Sequence, residues 1–240
     1  METTYKDVAN YYDGLWAQIE KESLSGINSR HRVILNRLKK AGLKKDSTIL
    51  EIGCGIGTLT NYLSKQIPNG KIVGVDISPE SVEFAKKKYA ANKNTSFIVS
   101  DMTNFNYEGK FDIILFPDVL EHIPVEGHKH IFKTVSGLVH QDAIIAINLP
   151  HPNCLRWFKK NNPKALQIID QDIETDVMIN HIYPFGFYLQ TFETYALYFN
   201  VPDYQWMIFK RNKDFENVIQ IEKPKVIFNG IILRLKNIFS

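Results

Sequence analysis

The run from Ile49 to Thr58, ILEIGCGIGT, constrains this chain more than any other stretch of it. It reads as a buried apolar strand that enters a glycine-rich turn and then opens a helix. Gly53, Gly55 and Gly57 fall at alternate positions, so the backbone can bend sharply and come close to a ligand, as a residue with a Cβ could not. The first turn of the following helix presents unpaired N–H groups, which suit an anionic ligand group. A second apolar strand, 71–75, ends in Asp76, nineteen residues beyond Gly57. A carboxylate at that tip can accept both hydroxyls of a ribose diol. Together these features describe a site for an adenosine-type cofactor.

The remainder of the middle of the chain repeats the strand-and-helix alternation. Short Ile- and Val-rich runs at 48–53, 71–76, 95–99, 111–116 and 143–149 read as strands, and 57–67, 79–91 and 124–139 carry helical periodicity. Ser78-Pro79-Glu80 is a strong helix start: a capping serine, a proline at the first helical position and an acid in the first turn. Near-continuous apolar strands alternating with helices predict an α/β fold whose mostly parallel sheet is covered on both faces. Stretches 204–210 and 216–221 are expected to add further strands.

The glycine spacing separates two cofactor classes. The dinucleotide fingerprint G-x-G-x-x-G needs a third glycine where this chain has Thr58, and Glu51, two residues before the first glycine, is foreign to it. The E-x-G-x-G-x-G run with Asp76 closing the second strand resembles the class I S-adenosylmethionine-dependent methyltransferases, over about 45–150. The resemblance implies a Rossmann-like seven-stranded sheet with 204–210 and 216–221 as its antiparallel terminal pair. It also implies S-adenosylmethionine as cofactor: Glu51, Gly53, Gly55 and Gly57 along the methionine end, Asp76 on the ribose, Ile77 against the adenine, and Asp101 with Met102 near the adenine amine. An aromatic face for the sulfonium is expected from Tyr12, with Tyr5, Tyr11 and Trp16 beside it.

The resemblance divides the chain into an N-terminal lid (1–40), the cofactor-binding core (45–150), a substrate cap (151–190) and a C-terminal part with a helix and strands (191–240), all in one domain. The cap is rich in aromatics, among them Trp157, Tyr183, Phe185, Phe187 and Tyr188, and segments over the carboxyl edge of an open sheet shape substrate pockets. At +3 net charge with scattered basic residues, the chain has no electrostatic footprint for nucleic acid. Cys54 and Cys154 form no metal-pair motif or disulfide framework, which suits a reducing cytoplasm. The apolar and basic residues of 223–239 are expected to pack on the sheet or form a homodimer contact, with a membrane surface as the alternative.

The segment after the fourth strand, Asp118-Val-Leu-Glu121-His122, carries the catalytic expectation. Small-molecule members of the resembled class have a similar Glu-His pair, and the Pro-Pro-aromatic tetrad of base-amine methylation is absent. A hydroxyl acceptor benefits from a base or a metal. His122 is the first candidate base, Glu121 is its partner, and His151 is a second candidate. Asp118, Glu121, His122 and His181 could instead converge on Mg²⁺ or Mn²⁺. His128, His130 and His140 are placed on a surface helix without a role. The expected function is S-adenosylmethionine-dependent O-methylation of a small-molecule hydroxyl, on a sugar or secondary metabolite. Metal-dependent RNA 3′-terminal 2′-O-methylation and non-catalytic cofactor binding stand as alternatives.

Overall fold

The computed structural model describes residues 26–211. Tyr5, Tyr11, Tyr12 and Trp16, the stretch 216–221 and the segment 223–239 lie outside the described residues.

Seven strands form one sheet: β1 (Thr48–Ile52), β2 (Lys71–Asp76), β3 (Thr95–Val99), β4 (Phe111–Pro117), β5 (Val139–Pro150), β6 (Phe187–Tyr195) and β7 (Tyr204–Arg211). Their order is β3-β2-β1-β4-β5-β7-β6. The first five run parallel, whereas β7 is antiparallel to both β5 and β6. The helices are α1 (Ser29–Lys40), α2 (Thr58–Ser64), α3 (Pro79–Lys88), α4 (Val125–Ser136), α5 (Pro152–Asn161) and α6 (Thr175–Ile182).

Alternation along each strand feeds two cores. Leu50, Ile52, Val73, Ile114 and Phe116 pack with α4 and α6, while Ile49, Ile72, Ile113 and Leu115 face α1 and α2 on the other side. Each strand therefore reads as a continuous apolar run although its neighbouring side chains point to opposite faces. The caps behave as their sequences predict. Ser78 Oγ accepts from the Ser81 N–H at 3.1 Å, with Pro79 in the first turn of α3. Asn28 opens α1 by accepting from the His31 N–H at 3.0 Å.

Several expectations change here. The partner of β7 within the sheet is β6 at 187–195, a stretch that straddles the expected cap (to 190) and the expected C-terminal part (from 191). Phe187 is a fully buried core residue. Of the lead-in read as a lid, residues 29–40 form a core helix with Ile34, Leu35 and Leu38 buried. His128 is fully buried in α4, its Nε2 within 2.9 Å of the Leu120 and Ile123 carbonyls, rather than on the surface. His140 is exposed on β5, not on a helix. Among the described residues no helix is long and apolar enough to cross a membrane.

Candidate active site

The site lies at the carboxyl ends of β1, β2 and β4, where the order reverses between β1 and β4 and the connections diverge to opposite faces. A cavity of about 540 Å³ opens there, and its walls include Glu51, Gly53, Gly55, Asp76, Ile77, Asp101 and Met102. Seven of the residues expected at the cofactor thus meet in one place. Gly57 stays out of the lining and caps α2 with φ near 76° against the Phe97 ring.

The turn is held by its own chemistry. The Gly53 and Cys54 N–H groups both donate to the Val75 carbonyl, at 2.8 and 3.0 Å, which ties the end of β1 to β2. Asp76 accepts from the Gly55 N–H at 2.7 Å and the Ser78 N–H at 2.9 Å. Its carboxylate therefore shapes the glycine turn as well as facing the cavity. Asp101 accepts from the Thr103 N–H, and the Met102 N–H donates to Ser100 Oγ, so Met102 offers its carbonyl and side chain rather than its N–H.

Glu51 is 1% exposed, with one oxygen receiving the Thr60 hydroxyl at 2.7 Å. Burial pushes its carboxyl up to about 8, with Thr60 opposing and Asp76 adding to the rise. A buried acid of this kind on a cavity wall has a use for a cationic ligand, which would let it ionise. The adenosine-shaped cradle, the ribose-type carboxylate and this acid together fit S-adenosylmethionine, whose ammonium and sulfonium are both cations.

A second cavity, of about 430 Å³, adjoins the first and shares Arg30, Asp118, His122, Gln167 and Tyr198 with it. Arg30, from the first turn of α1, places Nε 3.0 Å from Asp118, and its Nη1 donates to the Tyr204 hydroxyl at 3.4 Å. Asp118 adopts the left-handed region (φ 55°), one of the few side-chain-bearing types that tolerate it. Its other oxygen receives the Asn148 amide at 3.0 Å, and Asn148 in turn accepts from the Tyr195 hydroxyl at 2.7 Å. Burial raises the Asp118 carboxyl above its usual range, while Arg30 and Asn148 pull it back.

Glu121 and His122 sit on a single 3₁₀ turn after β4. His122 is hemmed in: Nδ1 lies 2.8 Å from the Ile169 carbonyl and 3.2 Å from Asp170, and Nε2 lies 3.7 Å from Glu121. Burial alone would lower the imidazole, but Glu121, Asp170 and the Ile169 carbonyl raise it to about 9. The first-choice base thus has acceptors around both nitrogens, which favour its protonated form. Glu121 is different. It is 2% exposed and lines the second cavity, and its Oε2 is buried without a partner. Burial pushes its carboxyl up to about 8, against the pull of His122.

The metal expectation does not match this geometry. Asp118 is committed to Arg30 and Asn148, and His122 to Asp170 and Glu121. His181 lies on α6 with its ring 5.8 Å from that of His128, on neither cavity wall. Among the described residues no three acids, histidines or cysteines are placed to hold a metal ion. His151 lines neither cavity, and its Nδ1 accepts from the Asn153 N–H at 3.2 Å, capping α5. The reading of the sequence missed Arg30, Asn148, Tyr198 and Tyr204. Their only local signal is polarity at strand or helix ends.

Comparison with known proteins agrees with this geometry. The family described as "Methyltransferase domain" matches residues 49–142. These residues match that family, and the sheet that carries them has the class I methyltransferase fold. The domain is 48% identical over 73 residues to malonyl-[acyl-carrier protein] O-methyltransferase 1 of Ilyobacter polytropus, covering 30% of this chain and 27% of that protein. The chain is 26% identical over 121 residues to trans-aconitate 2-methyltransferase of Escherichia coli, covering 50% of this chain and 46% of that protein. The chain therefore matches less than half the length of these curated relatives. The fold matches that of magnesium protoporphyrin IX methyltransferase from Synechocystis, solved with bound SAH, at a TM-score of 0.59 and 18% identity over 77% of this chain and 82% of that one.

Proposed function

We propose that the protein transfers a methyl group from S-adenosylmethionine to a hydroxyl oxygen of a small molecule seated in the second cavity. The observation that carries this reading is Glu121: a carboxylate on the acceptor-cavity wall, buried, with one oxygen unpartnered and its proton affinity raised toward neutrality. A general base works best when its pKa lies near the working pH. S-adenosylmethionine, held along Glu51, Gly53, Gly55 and Asp76, would supply an electrophilic methyl carbon for the acceptor oxygen. Glu121 takes the hydroxyl proton. Arg30, pinned by Asp118 and Tyr204, and the His122 imidazolium steady the oxygen as it gains negative character.

A carboxylate acceptor is the second reading. The relatives' named acceptors, malonyl-acyl carrier protein and trans-aconitate, are both carboxylic acids, and Arg30 lines the cavity as a guanidinium suited to carboxylates. A carboxylate is already ionised and needs no base.

The pH dependence of methyl transfer separates the two. With Glu121 as base, the rate climbs as pH rises through about 8 and falls as His122 discharges above about 9. Glu121→Gln then lowers kcat by roughly 10²- to 10⁴-fold with little change in KM. A flat rate through pH 8 and a nearly unimpaired Glu121→Gln enzyme would transfer the weight to the carboxylate reading.

A further inference from the structure

The lining of the second cavity joins charged groups, among them Arg30, Glu121 and His122, to an apolar set of Leu155, Phe158, Leu166 and Phe199. The apolar character continues outward onto the surface. Trp157 lies 5.2 Å from Phe158 and 6.1 Å from Phe199, ring centroid to ring centroid, and the Phe158 and Phe199 rings are 6.0 Å apart. Trp157 and Phe199 are exposed all the same. Exposed aromatics grouped in this way mark a binding surface more often than scattered ones do.

Two elements bring these rings together, α5 and the loop between β6 and β7. The loop is fixed rather than slack, because the Leu197 and Tyr198 N–H groups donate to the two oxygens of Asp203 at 2.6 and 2.9 Å, and the Asp203 N–H donates to the Tyr195 carbonyl. The same bonds consume the carboxylate that a polyhydroxylated ligand would need at this end. Asp170 is also occupied, by His122 and by the Gln167 N–H. A sugar body would lose its water here and find few acceptors in return.

We infer that the acceptor is amphiphilic, with an oxygen-bearing head beside Glu121 and Arg30 and an apolar aryl or alkyl body lying on Phe158, Phe199 and Trp157. This inference rests on the reading of the second cavity as the acceptor site. At about 430 Å³ the cavity is of a size for a compact small molecule, and its open aromatic mouth accommodates a longer body.

The test measures binding, so it does not depend on turnover. The intact chain saturated with S-adenosylhomocysteine is titrated with phenol, 4-n-butylphenol, 1-hexanol and methyl glucoside, and binding is read by saturation-transfer NMR. The expected result is that 4-n-butylphenol binds ~10-fold or more tightly than phenol, with the glucoside not binding. Hexanol binding at a strength near that of butylphenol assigns the body as alkyl; its failure assigns it as aryl. Phe199→Ser and Trp157→Ser each weaken butylphenol by ~10-fold. S-adenosylhomocysteine affinity stays unchanged in both, because neither side chain lines the cofactor cavity, and this also certifies the fold. The inference is overturned if the glucoside binds as well as butylphenol, if no apolar probe binds, or if neither substitution weakens butylphenol. Loss of the Glu121 base reading alone would leave these binding results standing, so the two failures are distinguishable.

Discussion

Two neighbouring glycines in the turn are predicted to fail in opposite ways when each becomes alanine. Gly53 has φ near 79°, and a Cβ built there would lie 2.5 Å from Val119 Cγ2 and 2.7 Å from Val119 Cβ. A left-handed conformation costs a residue with a side chain about 1–2 kcal/mol, and overpacking against the half-buried Val119 adds about 1–3 kcal/mol. Gly53→Ala should therefore lose roughly 2–5 kcal/mol of stability, which lowers the melting temperature by about 4–20 °C for a chain of this size. Gly55 has φ near 50° but nothing within 4 Å of a Cβ, because it borders the open cavity. Gly55→Ala should cost only the backbone part, about 1–2 kcal/mol or ~2–8 °C. Its methyl group would instead intrude on the cofactor, weakening S-adenosylmethionine at least ~10-fold, or about 1.4 kcal/mol. Thermal unfolding with and without cofactor, together with calorimetric titration, reads both quantities. A Gly55→Ala protein that binds the cofactor normally, or a Gly53→Ala protein that melts like the parent, would refute the steric reasoning.

Three further outcomes follow from the same geometry. Asp76→Ala should weaken S-adenosylmethionine in a titration and also lower the melting temperature, since it orphans the Gly55 and Ser78 N–H groups, at about 1–3 kcal/mol for a buried unsatisfied donor. Glu51, whose folded carboxyl is raised to about 8, favours the folded state at acid pH. That contribution is lost as pH rises from the ordinary carboxylate range toward about 8, so the apo protein should soften across that window and Glu51→Gln should flatten the profile of melting temperature against pH. Tyr195→Phe removes the hydroxyl that steadies Asn148 beneath Asp118. It should leave cofactor affinity intact while lowering kcat more than it raises KM, and a variant with an unchanged kcat would remove Tyr195 from the positioning chain.

Much of the cofactor side was legible because its signals are local. A strand, a glycine turn and a helix follow one another within 49–64, and Asp76 and Asp101 stand at the ends of the next strands, so contiguous residues suffice to place Glu51, Gly53, Gly55, Asp76, Ile77, Asp101 and Met102 on one wall. The acceptor side is assembled over long separations. Arg30 meets Tyr204 across 174 residues, and Tyr195 meets Asn148 across 47. No periodicity reports such pairs. The strand β6 was hidden for a related reason: its residues are largely exposed along one sheet edge, so the apolar run that marks a buried strand is missing. Histidine is the residue type that sequence reading placed worst. His151 caps a helix, His128 is buried against two carbonyls and His122 is held as a cation, three fates set by surroundings that residue type alone does not carry.

The most direct test of methyl transfer uses S-adenosylmethionine with a deuterated methyl group, incubated with the protein and fractionated small molecules, and mass spectrometry to find the label. The account predicts a labelled small molecule whose formation rises with pH through about 8 and is abolished in Asp76→Ala. Confirmed cofactor binding with label entering no small molecule would contradict it.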